Sequence, residues 1–293
     1  MSESVLVTVV CTCFNHEKFV IESIQSVLNQ NYYNIQLIVV DDFSSDNSVF
    51  VIEEFIKNHS EIIFIKNKTN LGITKSFNYA MTLAKGSYFV DLAADDVLST
   101  SCIEIQLKTF RNSNHKNLAI VFGNAEIVSE NGSHLNYYFN ADKNSKRISK
   151  QKSGDLYSEL ISLKTVICSV SALYKKSVFD SVGGYDETLV YEDFDYWIRV
   201  SRSYDIEYID EILIQKRMLS TSLHSNFVKN HSKIGKSTFR ILKNAYYLNT
   251  YKKEHAILIG RVFLEIKSAI KTVNFVLLCK NCWLWLCLRV KSI

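Results

Sequence analysis

Four short apolar runs alternate with helical patterns along the first hundred residues, and this alternation limits the fold more than any other feature. The runs are residues 5–13, 35–40, 62–65 and 88–92. Between them, apolar side chains recur at three- and four-residue spacing, which is typical of helices that bury one face. Buried strands joined by helical crossovers form parallel sheets with right-handed connections. The sequence therefore predicts an α/β fold in which helices flank a mostly parallel sheet.

Two pairs of aspartates, Asp41-Asp42 and Asp95-Asp96, follow the second and fourth runs. In open α/β sheets, ligands bind outside the carboxyl ends of the strands. Four carboxylates at one edge repel each other unless a cation or hydrogen-bond donors offset their charge. Mg²⁺ and Mn²⁺ prefer oxygen ligands and often bind through one or two carboxylates plus substrate phosphates. The pairs predict a metal–nucleotide site, with capping of the following helices as the alternative.

Several function classes are disfavoured by the composition and by absent motifs. No G-x-G-x-x-G follows the first run and no G-x-x-x-x-G-K-[ST] occurs, which disfavours dinucleotide-binding enzymes and P-loop NTPases. A net charge of +4 over 293 residues is too small to indicate nucleic-acid binding. Seven irregularly spaced cysteines predict free thiols in a reducing compartment. Because no signal peptide is visible, we expect a cytoplasmic protein.

The second part of the chain is less regular. Strands are expected near residues 118–122, 166–174 and 206–214, a loop over 131–152, and a helix over 191–201. After about residue 218 the pattern becomes helical and basic, which predicts a C-terminal helical extension.

Five motifs in a fixed order carry a resemblance to a known family. They are residues 9–17 (VVCTCFNHE), 26–30 (SVLNQ), 40–46 (VDDFSSD), 70–72 (NLG) and 94–96 (ADD). This series resembles the family 2 inverting glycosyltransferases with the GT-A fold, over roughly residues 5–215. The resemblance implies a nucleotide-sugar-binding half at 1–98, an acceptor-binding half at 99–217 and a helical, basic extension at 218–293.

The resemblance also implies roles for residues on the donor side. Thr12 and Phe14 would line the nucleoside pocket, although Phe14 could instead be a core residue. Asp42 would accept a hydrogen bond from the base, typically uracil N3–H, and Asp41 would serve the base or the ribose. Lys75 would offset pyrophosphate charge, unless it is a solvated surface lysine.

The second acidic pair corresponds to the metal-binding motif of the family. Asp96 would be the direct ligand of Mn²⁺ or Mg²⁺, with Asp95 reaching the ribose or a metal-bound water. The common motif has a further aspartate where this chain has Ala93. His16 could contact the donor phosphate or bond to the backbone.

An inverting transferase needs a base for the acceptor hydroxyl. By the resemblance, Asp193 is the general base and Glu192 binds the acceptor or supports Asp193; the alternative is that both only favour a helix N-terminus. Gly184 and Tyr185 correspond to the acceptor-side turn. Arg217 and His224 are expected in a segment that closes over the diphosphate.

The implied activity is inverting transfer of a sugar from a nucleotide diphosphate sugar, with UDP as the expected nucleotide. The acceptor would be a hydroxyl of a saccharide or of a lipid-linked molecule, in the synthesis of a surface polysaccharide. One alternative is a nucleotide-sugar-binding protein without activity, because Ala93 weakens the metal motif. The other is a receiver-like signalling domain, which also places paired acids after a strand.

The C-terminal residues 273–288 are mostly apolar and contain Trp283 and Trp285 with basic neighbours. This run is shorter than the roughly 20 residues that a membrane-spanning helix needs. Tryptophan beside basic residues suits a membrane interface. We therefore expect peripheral contact with the inner face of the plasma membrane. The alternative is a helix packed on the domain or in a homodimer.

Overall fold

The structure is a computed structural model that describes residues 4–219 and 231–292. The chain divides into two compact units. The first comprises the described chain up to Gln151 together with Ile167–Gly184 and Ile206–Leu219. The second comprises Lys152–Val166, Tyr185–Asp205 and the described residues after Leu219. The predicted division at residues 98 and 217 stays a prediction.

One mixed sheet organises the first unit. Its strands are β1 (Val7–Cys13), β2 (Ile35–Asp41), β3 (Ile63–Lys66), β4 (Tyr88–Ala93), β5 (Val97–Leu98), β6 (Leu118–Val128), β7 (His134–Tyr137), β8 (Ala172–Lys175) and β9 (Asp205–Arg217). The order is β3-β2-β1-β4-β8-β6-β9-β5, and β7 pairs with β6. β1 is parallel to β2 and β4, and β2 is parallel to β3. The predicted parallel part is therefore confirmed, whereas β8 runs antiparallel to β4 and β6.

Helices connect and cover this sheet. They are α1 (Val20–Leu28), α2 (Ser48–Ile56), α3 (Ile73–Met81), α4 (Cys102–Asn112) and α6 (Lys176–Ser181). All seven residues of β1 are buried, as expected for a central strand that is covered on both faces. In α1, Val20, Ile24 and Val27 form the buried stripe that the sequence spacing predicts.

The second unit is helical. It contains α5 (Tyr157–Ile161), α7 (Glu192–Ser201), α8 (His231–Leu248), α9 (Lys252–Lys271) and α10 (Phe275–Ser292). The buried Tyr157 hydroxyl donates to Asn249 Oδ1 at 2.7 Å, which ties α5 to the end of α8. Arg202 Nη1 lies 2.7 Å from Glu254 Oε1 and joins the end of α7 to α9. These contacts confirm the predicted C-terminal helices.

The sequence expectations differ from the structure in several segments. The strand expected over 166–174 is a 3₁₀ turn at Ser169–Ser171 followed by the short β8. The loop expected over 131–152 contains β7, and α4 was not predicted. Non-local pairing decides short strands such as β7 and β8, which explains why a local pattern misses them.

Candidate active site

Strand β1 separates the two acidic pairs at the carboxyl edge of the parallel strands. Cys13 pairs with Asp41 of β2 on one side, and Thr12 pairs with Ala93 of β4 on the other. Neighbouring strands lie about 4.8 Å apart, so the backbones of the two pairs are about 10 Å apart. The sequence expectation of four carboxylates at one edge thus becomes two separate pairs with different surroundings.

Hydrogen-bond donors, rather than charges, surround the buried Asp42. Its Oδ1 accepts from Asn67 Nδ2 at 2.9 Å, Leu71 N at 2.8 Å and Ser76 Oγ at 2.9 Å. Its Oδ2 accepts from Gly72 N at 2.8 Å. Asp42 therefore holds the loop before α3 in place. Because each carboxylate oxygen has about two acceptor sites, Oδ2 keeps room for one further donor.

The loops after β1 and β2 are bonded to each other next to Asp41. The buried Asp41 carboxylate accepts from Ser44 N at 2.9 Å and from the Ser44 hydroxyl. Ser44 Oγ accepts from Asn15 N at 2.9 Å, and Asn15 Oδ1 accepts from Ser45 N at 2.8 Å. Between these residues, Phe43 has φ +66° and a side chain that is 55% exposed. A bulky residue in this left-handed conformation is an outlier that the motif did not reveal.

The residues on β1 and α3 that are predicted to bind the donor differ in exposure. Thr12 is buried, and its Oγ1 has no hydrogen-bond partner among the described residues. Phe14 is 45% exposed, so its ring is not a core residue. Lys75 is exposed in the first turn of α3. Thr12 and Phe14 thus lie at the same strand end as Asp41.

The acidic turn, formed by Asp95 and Asp96, connects β4 to β5. Asp96 is only 2% exposed, and its Oδ1 accepts from Arg217 N at 2.9 Å. Burial and then the charge of Asp95 raise the pKa of Asp96 to about 7, against the opposing effect of Lys216. His16 Nδ1, which is buried and without a hydrogen-bond partner in the described chain, lies 4.0 Å from Asp95 Oδ1.

A divalent cation fits the acidic turn on these observations. The cation would offset the charge that burial and the adjacent carboxylate disfavour on Asp96. Mg²⁺ and Mn²⁺ need only one or two protein carboxylates when phosphates and water complete the coordination. Within residues 4–219 and 231–292, no group of three or more His, Cys, Asp or Glu side chains is arranged to hold a metal ion. The described residues therefore form no metal site that is made of protein ligands alone.

Arg217, the last residue of β9, fixes the acidic turn. Its side chain is 5% exposed; Nε donates to the Asp95 carbonyl at 3.1 Å and Nη1 to the Glu130 carbonyl at 2.9 Å. Nη2 lies 2.7 Å from Glu22 Oε2, and the guanidinium lies 4.8 Å from the centre of the Phe19 ring. Arg217 was expected in a segment that closes over the diphosphate. In the structure it is buried and supports the acidic turn. His224, its companion in that expectation, lies outside the described residues.

Gly184, which is predicted to lie on the acceptor side, belongs to the first unit. It has φ +68°, and its N–H donates to the Phe179 carbonyl at 3.0 Å just after α6. A Cβ at this position would lie 3.3 Å from Asn78 Oδ1 and from the Phe179 ring. Both the backbone conformation and the space therefore favour glycine.

The first turn of α7 in the second unit carries the remaining acidic candidates. Asp195 is buried and bonds to Arg199 Nε at 2.6 Å and Asn244 Nδ2 at 3.2 Å, so its task is structural. Asp193 and Glu192 are half-buried, and Asp193 Oδ1 accepts from Phe194 N at 2.7 Å.

Tyr185, which precedes this helix in the chain, is buried and packs edge-on against Tyr196 with ring centres 5.4 Å apart. The roles of Tyr185, Glu192 and Asp193 stay predictions.

Comparison with known proteins decides the family. The sequence model described as glycosyl transferase family 2 matches residues 8–183. The chain belongs to this family. The glycosyltransferase is 31% identical to an uncharacterized glycosyltransferase of Methanocaldococcus jannaschii, over 73% of this chain and 71% of that relative. It is 26% identical to the chondroitin synthase of Escherichia coli, over 71% of this chain but only 28% of that protein.

Two solved structures resemble the fold of this glycosyltransferase. TarS of S. aureus, residues 1–349 in complex with UDP-GlcNAc, superposes with a TM-score of 0.68 at 15% identity, over 87% of this chain and 71% of that one. The mannosyltransferase PcManGT of Pyrobaculum calidifontis, in complex with GDP-Man and Mn²⁺, gives a TM-score of 0.63 at 13% identity, over 97% and 74%. The predicted GT-A fold with C-terminal helices is confirmed.

No helix in the described parts of the chain combines the length and the apolar character needed to cross a membrane.

Proposed function

We propose that this family 2 glycosyltransferase moves a sugar, with inversion, from a UDP-sugar to a hydroxyl of a saccharide or of a lipid-linked acceptor. The observation that carries the proposal is the acidic turn beside two buried polar atoms, Thr12 Oγ1 and His16 Nδ1, that have no partner in the described residues. Buried polar groups without a protein partner are uncommon, and a ligand, an ion or an ordered water can satisfy them. The UDP-GlcNAc complex of TarS supports a UDP-sugar as the donor, and the name of the chondroitin synthase supports a role in the synthesis of a surface polysaccharide.

The donor is bound in this proposal at the end of β1. Phe14 presents an exposed ring to the base, and the free acceptor site on Asp42 Oδ2 receives the uracil N3–H. Thr12 and Asp41 line the nucleoside pocket, Asp95 reaches the ribose, and Lys75 offsets diphosphate charge. Asp96 holds Mn²⁺ or Mg²⁺, which stabilises the charge of the leaving diphosphate when bound.

The acceptor is activated in this proposal from the first turn of α7. Asp193 takes the proton from the acceptor hydroxyl as the oxygen attacks the anomeric carbon. Glu192 binds the acceptor beside it, and Gly184 and Tyr185 shape the turn on the acceptor side. Asp195 is not the base, because Arg199 and Asn244 hold its carboxylate.

Calorimetry with UDP, with and without Mn²⁺, tests donor binding. We expect UDP binding to depend on the metal and to be lost in Asp96→Asn. UDP binding that changes with neither the metal nor the substitution contradicts the donor site. Asp193→Asn should bind UDP as the wild type does but lose transfer, because an amide cannot accept the proton. Its matched control is Asp186→Asn, on an acid whose carboxylate pairs with Arg240 at 3.2 Å.

One observation favours a second candidate function, a nucleotide-sugar-binding protein without activity. Ala93 replaces an acidic residue of the usual family motif. Donor binding without transfer or donor hydrolysis across a panel of nucleotide sugars would select this candidate.

Peripheral contact of the C-terminal helices with the inner face of the plasma membrane completes the proposal, with a homodimer as the alternative. Sedimentation with membranes, compared between the full chain and a chain ending at residue 270, distinguishes the two.

A further inference from the structure

Helix α10 buries only one of its apolar faces. Leu277, Asn281, Leu284 and Leu288 are buried at spacings of four, three and four residues, and α10 packs against α9 and α8. This spacing gives one continuous stripe along the helix. The packing of α10 within its own unit is thus complete without its other apolar residues.

A second apolar stripe on α10 faces solvent. We define the apolar stripe as Val276, Trp283, Leu286 and Val290, which are 60%, 48%, 59% and 76% exposed. Their spacings of seven, three and four residues again place them along one side of a helix. A large, contiguous exposed apolar surface marks an interaction site.

The turn between α9 and α10 extends the apolar stripe. Ile270, Val273 and Phe275 are 59%, 70% and 70% exposed. Val273 also has φ +53°, a conformation in which a β-branched residue is a genuine outlier. We call these three residues the hairpin tip. The strained conformation of Val273 therefore lies within this exposed surface, and strained residues are often found at binding sites.

The charged residues at the end of α9 and along α10 have one sign. The last acidic residue of the chain is Glu265, and the basic residues after it are Lys267, Lys271, Lys280, Arg289 and Lys291. Three of these cations lie over aromatic rings of the same unit: Lys280 over Phe239, Arg289 over Trp285 and Lys291 over Tyr246. Basic side chains that rest on aromatic rings beside an apolar stripe suit the boundary between lipid headgroups and acyl chains.

We propose that the apolar stripe and the hairpin tip dock on an anionic lipid bilayer, with the axis of α10 in the plane of the surface. A second copy of the chain is the weaker occupant. Two identical surfaces would bring together five cations from each copy, and none of them pairs with a carboxylate among the described residues. The bilayer instead supplies apolar volume for Val276 and Leu286 and negative charge for the lysines. This proposal specifies the membrane contact named above and does not depend on sugar transfer.

Vesicle sedimentation of the full chain tests the proposal. Binding is expected to vesicles that contain phosphatidylglycerol, to be weaker with phosphatidylcholine alone, and to fall as salt is raised. The double variant Val276→Ser, Leu286→Ser should bind at least about tenfold more weakly, because two apolar side chains no longer enter the bilayer. Phe50→Ser, on an apolar side chain of α2 that is 61% exposed, is the matched control and should bind as the wild type.

Three outcomes overturn the proposal. One is wild-type vesicle binding by the double variant, and another is equal loss of binding by Phe50→Ser. The third is a combined result: light scattering shows a dimer of the wild type that is lost in the double variant, and the wild type does not bind vesicles. A second copy of the chain would then be the occupant. UDP calorimetry on the same samples keeps this result separate from the donor site, since donor binding should not change in the double variant.

Discussion

Replacing Arg217 by methionine should destabilise the first unit by about 3–5 kcal/mol. The backbone N–H still donates to Asp96, but the guanidinium bonds to the Asp95 and Glu130 carbonyls are lost. A hydrogen bond to a charged group contributes about 1.5–3 kcal/mol when buried. The Glu22 side chain is 56% exposed, so its ion pair with Arg217 adds little. Arg217→Lys keeps the charge and one donor direction, so we expect about half of this loss.

Thermal unfolding of the full chain measures the effect. Because the chain has two compact units, the transition that shifts should be followed rather than a single two-state free energy. Arg240→Met is the matched control: this half-exposed arginine pairs with Asp186, and the loss of that ion pair should cost less than about 1 kcal/mol. The reasoning is refuted if Arg217→Met unfolds at the wild-type temperature. If it is destabilised yet binds UDP and Mn²⁺ like the wild type, Arg217 supports the fold but not the acidic turn.

Three further substitutions test individual features of the first unit. Phe43→Gly should raise the unfolding temperature slightly: it relieves about 1–2 kcal/mol of left-handed strain and loses about 0.5–1 kcal/mol in chain entropy, whereas Phe43→Ala keeps the strain. Gly86→Ala should destabilise by at least about 2 kcal/mol in the same assay, because the new Cβ would lie 2.5 Å from the Thr8 backbone nitrogen. Without metal, the Asp96 carboxyl ionises near pH 4 when unfolded but near pH 7 when folded, so stability should fall as pH rises through this window. Asp96→Asn should remove that slope from unfolding curves recorded with a chelator.

Local sequence pattern was sufficient for the parallel part of the fold. The β-branched runs of β1 and β2 are long enough, and apolar enough, to identify buried strands without knowledge of their partners. The antiparallel strands were harder to predict. β5 has two residues, and its pairing of Val97 with Gln215 joins positions more than a hundred residues apart. A strand as short as β5 forms because a partner strand lies beside it, and the local sequence does not predict which strand that is.

For the candidate site as well, some features could be predicted from the local sequence and others could not. The place of Asp42 at a strand end could be predicted, but its four hydrogen bonds could not, since the donors lie 25 to 34 residues further along the chain. Arg217 shows the same limit more strongly, because its contacts with Glu22 and with the acidic turn span 195 and 122 residues. Sequence motifs predict which residues form the candidate site, whereas the contacts of each residue depend on neighbours that only the fold supplies.

The two acidic pairs differ in how their negative charge is compensated. Asp42 accepts four hydrogen bonds, which is enough to stabilise a buried carboxylate without a cation. Asp96 is more deeply buried, lies next to a second carboxylate and accepts one hydrogen bond from the described residues, which leaves its ionised form disfavoured. A cation therefore gains more at Asp96 than at Asp42. We expect divalent-ion affinity to disappear in Asp96→Asn and to persist in a folded Asp42→Asn variant, and the reverse pattern would show that compensation does not govern where the ion binds.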